Sequence, residues 1–164
     1  MGFKELVAID LNLDAGESIE ALTNGSEAAL YDLVTSVNVA CGGHAGDRET
    51  MGKAVHLAKQ RGLNVGAHPS FPDLAGFGRV AMSLSHEALV LTLCEQIESL
   101  VTVCDQEKMM LTHVKPHGAL YNIAANDRAT AMAVIEATRR INKNLFIVGL
   151  AGTPFKDLCT KNGM

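Results

Sequence analysis

The chain has 164 residues, 48% of them apolar and 20% charged, and carries a net charge of −4. That length supports one domain with a hydrophobic core, and the composition excludes both wholesale disorder and a fibrous repeat. Mild acidity, no Trp, two Tyr and five Phe lack the basic footprint and stacking platforms of a nucleic-acid binder, so small molecules or other proteins are the expected partners.

The first apolar run, residues 6–9, is stopped by Asp10. It is too short for a signal-peptide core or a membrane span, which predicts a cytoplasmic protein with no membrane partner. From there, short β-branched runs alternate with segments of helical period, the mark of βα units around a mainly parallel sheet. Strands are predicted at 6–13, 37–41, 64–67, 112–115 and 145–150. The near-continuous apolar character of the first and last predicts strands covered on both faces.

Between 17 and 34 a helical segment is broken at Thr23-Asn24-Gly25 and divides in two. Asp47 caps a helix in which Met51, Ala54, Val55 and Ala58 recur at helical spacing, and Gly62 closes it. Residues 69–84, with Pro69, Pro72, Gly76 and Gly78, have no periodicity and form a long loop of the kind that often carries function. Ser85 caps the longest helix, whose Leu89, Leu93, Ile97, Leu100, Val101 and Cys104 make one stripe against the sheet. A further helix starts from a cap at Asn126 or Asp127 and runs to about Asn142, and Thr153-Pro154 opens a last short one ending near Gly163.

Four of the five predicted strands end in polar residues: Asp10, Asn12 and Asp14 after the first, His44 to Asp47 after the second, His68 after the third, Lys115 and His117 after the fourth. In a parallel βα array the carboxyl ends of all strands point to one side, so His44, His68, His117, two or three of Asp10, Asp14 and Asp47, Asn12 and Lys115 are expected in one pocket. Histidine there can ligate a divalent metal, move protons near neutral pH or donate to an oxyanion; the plainer reading is a core imidazole satisfied by backbone carbonyls. Asp10 interrupts an apolar run and needs a partner such as a metal, a His or Lys115. His56, His86 and His113 read as structural, and Asp14 and Glu17 as solvated. Asp47 is fully explained as a cap, with a second role optional. Gly43, with Gly42 and Gly46, allows close backbone approach to a ligand, and Arg79 can clamp a carboxylate or phosphate. The four cysteines contain no C-x-x-C pair and read as reduced, buried thiols; Cys41, three residues before His44, reads as a small hydrophobe rather than a nucleophile.

The blocks DLN at 10–12, NVACGGHAGD at 38–47, GAHPSFPD at 66–73, GFGR at 76–79 and VKPHGALYN at 114–122 together resemble the LamB/YcsF family, to which the A-type subunit of the bacterial ATP-dependent 5-oxoprolinase belongs. The resemblance implies an α/β fold, a seven-stranded (β/α) barrel related to carbohydrate deacetylases, in a single domain over residues 1–164. It implies a nucleotide-binding hydrolase of cyclic amides that uses ATP with Mg²⁺, acts with subunits B and C and opens 5-oxoproline to glutamate. Asp10, His44, His68, Lys115 and His117 are then the catalytic candidates. Asn12, Gly43, Asp47 and Arg79 are candidates for holding substrate or phosphate, and a divalent metal is a candidate among Asp10, His44, His68 and His117. After Asn12 the chain reads Leu-Asp-Ala-Gly-Glu-Ser, where the family more usually places an acidic residue, Leu or Met, then Gly-Glu. Family members also continue past Met164, so a barrel of about five βα units, C-terminally shortened, is expected. Such a chain should be inactive alone and self-associate through an unpaired apolar edge at 6–13 or 145–150. The rival readings are a stand-alone metal-dependent amide or deacetylase-type hydrolase, and a non-catalytic remnant that only binds partners.

Overall fold

A computed structural model describes residues 9–164. Its strands are β1 (Asn12–Ala15), β2 (Ser36–Ala40), β3 (Asn64–His68), β4 (Leu111–Val114) and β5 (Phe146–Ile147). Each pairs in parallel with the next, in the order β1-β2-β3-β4-β5. A doubly wound sheet reverses its strand order at a switch point; an unreversed parallel order is instead the arc of a (β/α) barrel, not closed among the described residues. The connections carry α1 (Ile19–Thr23), α2 (Ser26–Tyr31), α3 (Arg48–Arg61), α4 (His86–Gln106), α5 (Gly118–Ala124), α6 (Arg128–Ile141) and α7 (Pro154–Lys161).

The capping signals read from sequence operate as expected. Asp47 accepts from the Thr50 amide in a reciprocal capping box, Ser85 accepts from Ala88, and Asp127 from Thr130. The stripe on α4 is buried at Leu89, Leu93, Ile97, Leu100 and Cys104, and the segment after β1 divides at Asn24-Gly25. Helix α5 has no signal in the sequence: it opens on Gly118, a poor helix former, with no side-chain cap from His117.

The register shows why the sheet has two unlike faces. Asp14 lies beside Asn38, Asn38 beside Gly66, and Gly66 beside His113. Alternation along each strand therefore gathers Asn12, Asp14, Ser36, Asn38, Asn64, His68 and His113 on one polar face. On the other, Ala15, Val37, Val39, Val65, Ala67 and Val114 pack with Met51, Ala54 and Val55 of α3 and Ile97 and Leu100 of α4. The expectation of apolar cover on both faces is thus corrected, because alternate residues of β1 carry polar side chains into a hydrogen-bonded file.

Two strand boundaries also shift. Of the predicted first strand at 6–13, residues 6–8 lie outside the described residues, and β1 begins only at Asn12, where Ser36 becomes available as a ladder partner. Ile9 and Leu11 are exposed. The predicted strand at 145–150 shortens to two residues, since among the described residues β5 pairs only with β4. Phe146 stands 73% exposed on that edge. No helix among the described residues is long and apolar enough to cross a membrane.

Candidate active site at the carboxyl ends of the strands

The turn after β1 supplies Glu17, the turn after β2 supplies His44, β3 ends on His68, and the segment after β4 supplies Lys115 and His117. The structure brings all of these together with Asp14. The rings of His44 and His117 stack with centroids 3.6 Å apart, and His68 meets His117 edge to face. His117 Nδ1 lies 3.0 Å from His68 Nε2, and His44 Nε2 lies 3.1 Å from Glu17 Oε1. Asp14 is held from two sides, by Lys115 Nζ at 2.6 Å and His68 Nε2 at 3.3 Å. All three imidazoles are buried, and His44 Nδ1 is buried without a partner.

Beneath the cluster a polar file fixes Asp14 and Asn12. Asn38, wholly buried, donates from Nδ2 to Asn12 Oδ1 and Asp14 Oδ1, and its Oδ1 accepts from His113 Nε2 at 2.7 Å. Lys115 Nζ also donates to Asn12 Oδ1. A Cβ at Gly66 would collide with the His113 ring, so only glycine lets that ring cross β3 to reach Asn38.

The long loop closes the site from above. Phe77 adopts φ 54°, uncommon for a side-chain-bearing residue, and its carbonyl accepts from His117 Nε2 at 3.0 Å. A Cβ on Gly118 would strike the Gly78 carbonyl, which accepts instead from the Ala119 amide. The stretch after His68 is braced from the helix layer, where Gln96 of α4 accepts from the Ser70 amide and donates to the Ser70 carbonyl.

Electrostatics follow from this crowding. Burial raises the Asp14 pKa, but the hydrogen bonds and charges of His68 and Lys115 outweigh it and hold the carboxylate well below its usual range. Glu17 is lowered in the same way, with burial opposed chiefly by His44. Burial, together with neighbouring His44 and His68, pushes His117 down to about 4, so it is a neutral acceptor near neutral pH. Burial raises Cys41 to about 12, in keeping with an inert thiol rather than a nucleophile.

Not every expected residue arrives. Asp10 is the main correction: it sits at the opposite, amino end of the sheet, where its carboxylate accepts from Thr35 and Ser36 hydroxyls at 2.6 and 2.8 Å. It is exposed, so neither a metal nor Lys115 is needed to satisfy it. Asp47 points into its own capping box. Gly43 packs against Ser70 and Gln96, with no room for a Cβ, so its smallness serves packing. Arg79 reaches the rim of an open pocket of about 310 Å³ whose lining includes Asp14, His68, Lys115, His117 and Tyr121. Its guanidinium lies 5.5 Å from the Phe77 ring centroid. Conversely Asp14 and Glu17, although partly exposed, are cluster members; their positions two and five residues past Asn12, at a strand end, are the available signal. Glu17, His44, His68 and His117 each offer a donor atom, all within 4.8 Å of one another, a set that could hold a metal ion.

A family model described as the LamB/YcsF family matches residues 9–164. The A-type 5-oxoprolinase subunit of Chloroflexus aurantiacus is 46% identical over 148 residues, covering 90% of this chain and 58% of that protein. Its counterpart in Bordetella pertussis is 45% identical over 157 residues, with 96% and 62% covered. Among solved structures, a lactam utilization protein from Thermus thermophilus has a TM-score of 0.90 at 44% identity, covering 96% of this chain and 64% of that one. The chain therefore spans 58 to 62% of the length of these two curated relatives. With a family match from residue 9 to residue 164 and identities near 45% over most of its length, the chain belongs to the LamB/YcsF family.

Proposed function

We propose that the chain acts as the A component of a 5-oxoprolinase, opening the lactam of 5-oxoproline to glutamate with ATP and Mg²⁺ and with partner subunits B and C. The observation that carries this reading is the convergence of Asp14, Glu17, His44, His68, Lys115 and His117 at one end of the sheet. The names of the relatives support it, since the word subunit implies that those proteins work in an assembly.

A five-membered lactam is a poor electrophile, and ATP answers that difficulty. Transfer of the γ-phosphoryl group to the lactam oxygen, with ADP leaving, makes the ring carbon attackable. Water then adds to that carbon, giving up a proton to a basic group of the cluster; the Asp14 carboxylate is the acceptor in place. Collapse of the adduct breaks the ring C–N bond, the nitrogen takes a proton, and a second water releases phosphate from the resulting acyl phosphate. Lys115 and Arg79, on the rim of the same pocket, supply positive charge for the substrate carboxylate or the transferred phosphate.

Glutamate release from 5-oxoproline, measured with and without ATP and with and without subunits B and C, tests the reading. Release that requires both ATP and the partners is expected. Release that needs no ATP and is abolished by a chelator would replace it with the metal-dependent hydrolase.

A further inference from the structure

Two hydrogen bonds of the histidine cluster fix the position of one proton on each of two rings. His68 Nδ1 is 2.7 Å from the Lys115 carbonyl, and His117 Nε2 is 3.0 Å from the Phe77 carbonyl. A carbonyl only accepts, so each of these nitrogens carries the hydrogen of its ring. The remaining nitrogens, His68 Nε2 and His117 Nδ1, point away from those carbonyls and face each other at 3.0 Å. Further acceptors crowd the same point: Asp14 Oδ2 is 3.3 Å from His68 Nε2, and Glu17 Oε1 is 3.7 Å from His117 Nδ1. Ring nitrogens and carboxylate oxygens converging this closely need positive charge among them, either a proton on His68 Nε2 or a metal ion.

We propose that Glu17, His44, His68 and His117 form a binding site for one divalent transition-metal ion of the zinc class. Three imidazoles and a carboxylate suit zinc or cobalt; magnesium and calcium prefer shells of oxygen. The outward ring nitrogens of His68 and His117 already donate to carbonyls, the arrangement that aims a ligating imidazole and fixes its tautomer. A tetrahedral ion about 2.0–2.1 Å from each ligand holds its donors roughly 3.4 Å apart. The four donor atoms span up to 4.8 Å, so they draw together on binding. The site stands on these contacts and does not depend on the lactam reading.

The test is metal uptake, measured without any assay of turnover. The chain is stripped by dialysis against a chelator and titrated with cobalt(II) chloride and, separately, zinc sulfate. One ion per chain is expected, with the visible absorption of low-symmetry cobalt. His68→Ala and His117→Gln should each weaken uptake at least about 10-fold, while His56→Ala, a change at an exposed histidine bound to Glu107, should leave it unchanged. Glu17→Gln, at the half-buried edge of the cluster, serves where a histidine variant fails to fold, and it too should weaken uptake. Folded wild-type protein that takes up neither ion stoichiometrically overturns the proposal. So does uptake indifferent to the cluster variants, or nitrogen NMR showing a proton shared between His68 and His117 that added zinc does not displace.

Discussion

The two ends of the polar sheet face are built from similar residue types and do different work. At the carboxyl end, Asp14 is gripped by Lys115 and His68, and three buried imidazoles converge from the ends of three neighbouring strands. At the amino end, Asp10, Ser36, Asn64, Thr112 and His113 line a second open pocket of about 360 Å³, yet Asp10 is satisfied by two hydroxyls and His113 by Asn38 and Thr112. One end concentrates charge and under-satisfied lone pairs; the other neutralises each group locally. Polar side chains on a sheet face therefore do not make a site by their presence. Convergence without satisfaction marks it.

The sharpest way to break this contrast is to exchange the ends in a turnover assay of the assembled enzyme. Lys115→Ala should lower glutamate formation about 10²–10³-fold, because it removes the cation facing Asp14 and the pocket. Asp10→Ala should stay within about threefold of wild type. Comparable losses for both would show that the amino end also serves the chemistry. Next in size is Gly66→Ala, whose Cβ meets the His113 ring; equilibrium denaturation should show a loss of about 1–3 kcal/mol from overpacking.

A subtler difference lies in pH. Burial lowers the His113 pKa from its ordinary 6.5, the Asp10 carboxylate opposing in part. A histidine depressed in the folded state contributes its full stability above 6.5 and loses it as pH falls below that value. Denaturation midpoints should therefore decline below pH 6.5, with His117, pushed down to about 4, adding to the slope. Asp14, held low, keeps its contribution until pH falls below the ordinary carboxylate value of 3.8. His113→Asn should flatten part of the upper window, and a midpoint rising on acidification would contradict the assignment. The smallest expected effect is that of Asp47→Ala, which removes the α3 cap. Its melting temperature should drop by ~2–4 °C with turnover unchanged.

Much of this arrangement is legible in the chain. The caps at Asp47, Ser85 and Asp127, the α4 stripe and the gathering of His44, His68 and His117 at strand ends all follow from local signals. What escapes such reading depends on partners distant in sequence. Asp10 reads as a strand-end carboxylate until the register with β2 sets it beside Thr35 and Ser36. Asp14 and Glu17 look like ordinary surface acids until Lys115, some hundred residues on, and His44 close over them. Helix α5 starts without a cap because its first turn is held by the Gly78 carbonyl rather than by its own side chains.

Gln96 belongs to the outer layer, yet its carboxamide presents to Ser70 the same acceptor and donor that a neighbouring strand would. It acts as a one-residue surrogate strand, extending the sheet's grip two residues past the end of β3. The position of His68 is consequently referenced to α4 as well as to the barrel arc. Shifts of that helix, from repacking at Leu93 or Leu100 far from any substrate, should be transmitted to the imidazole through a single amide. Gln96→Leu, similar in size but mute in hydrogen bonding, would cut this mechanical link while leaving the chemistry's own residues untouched.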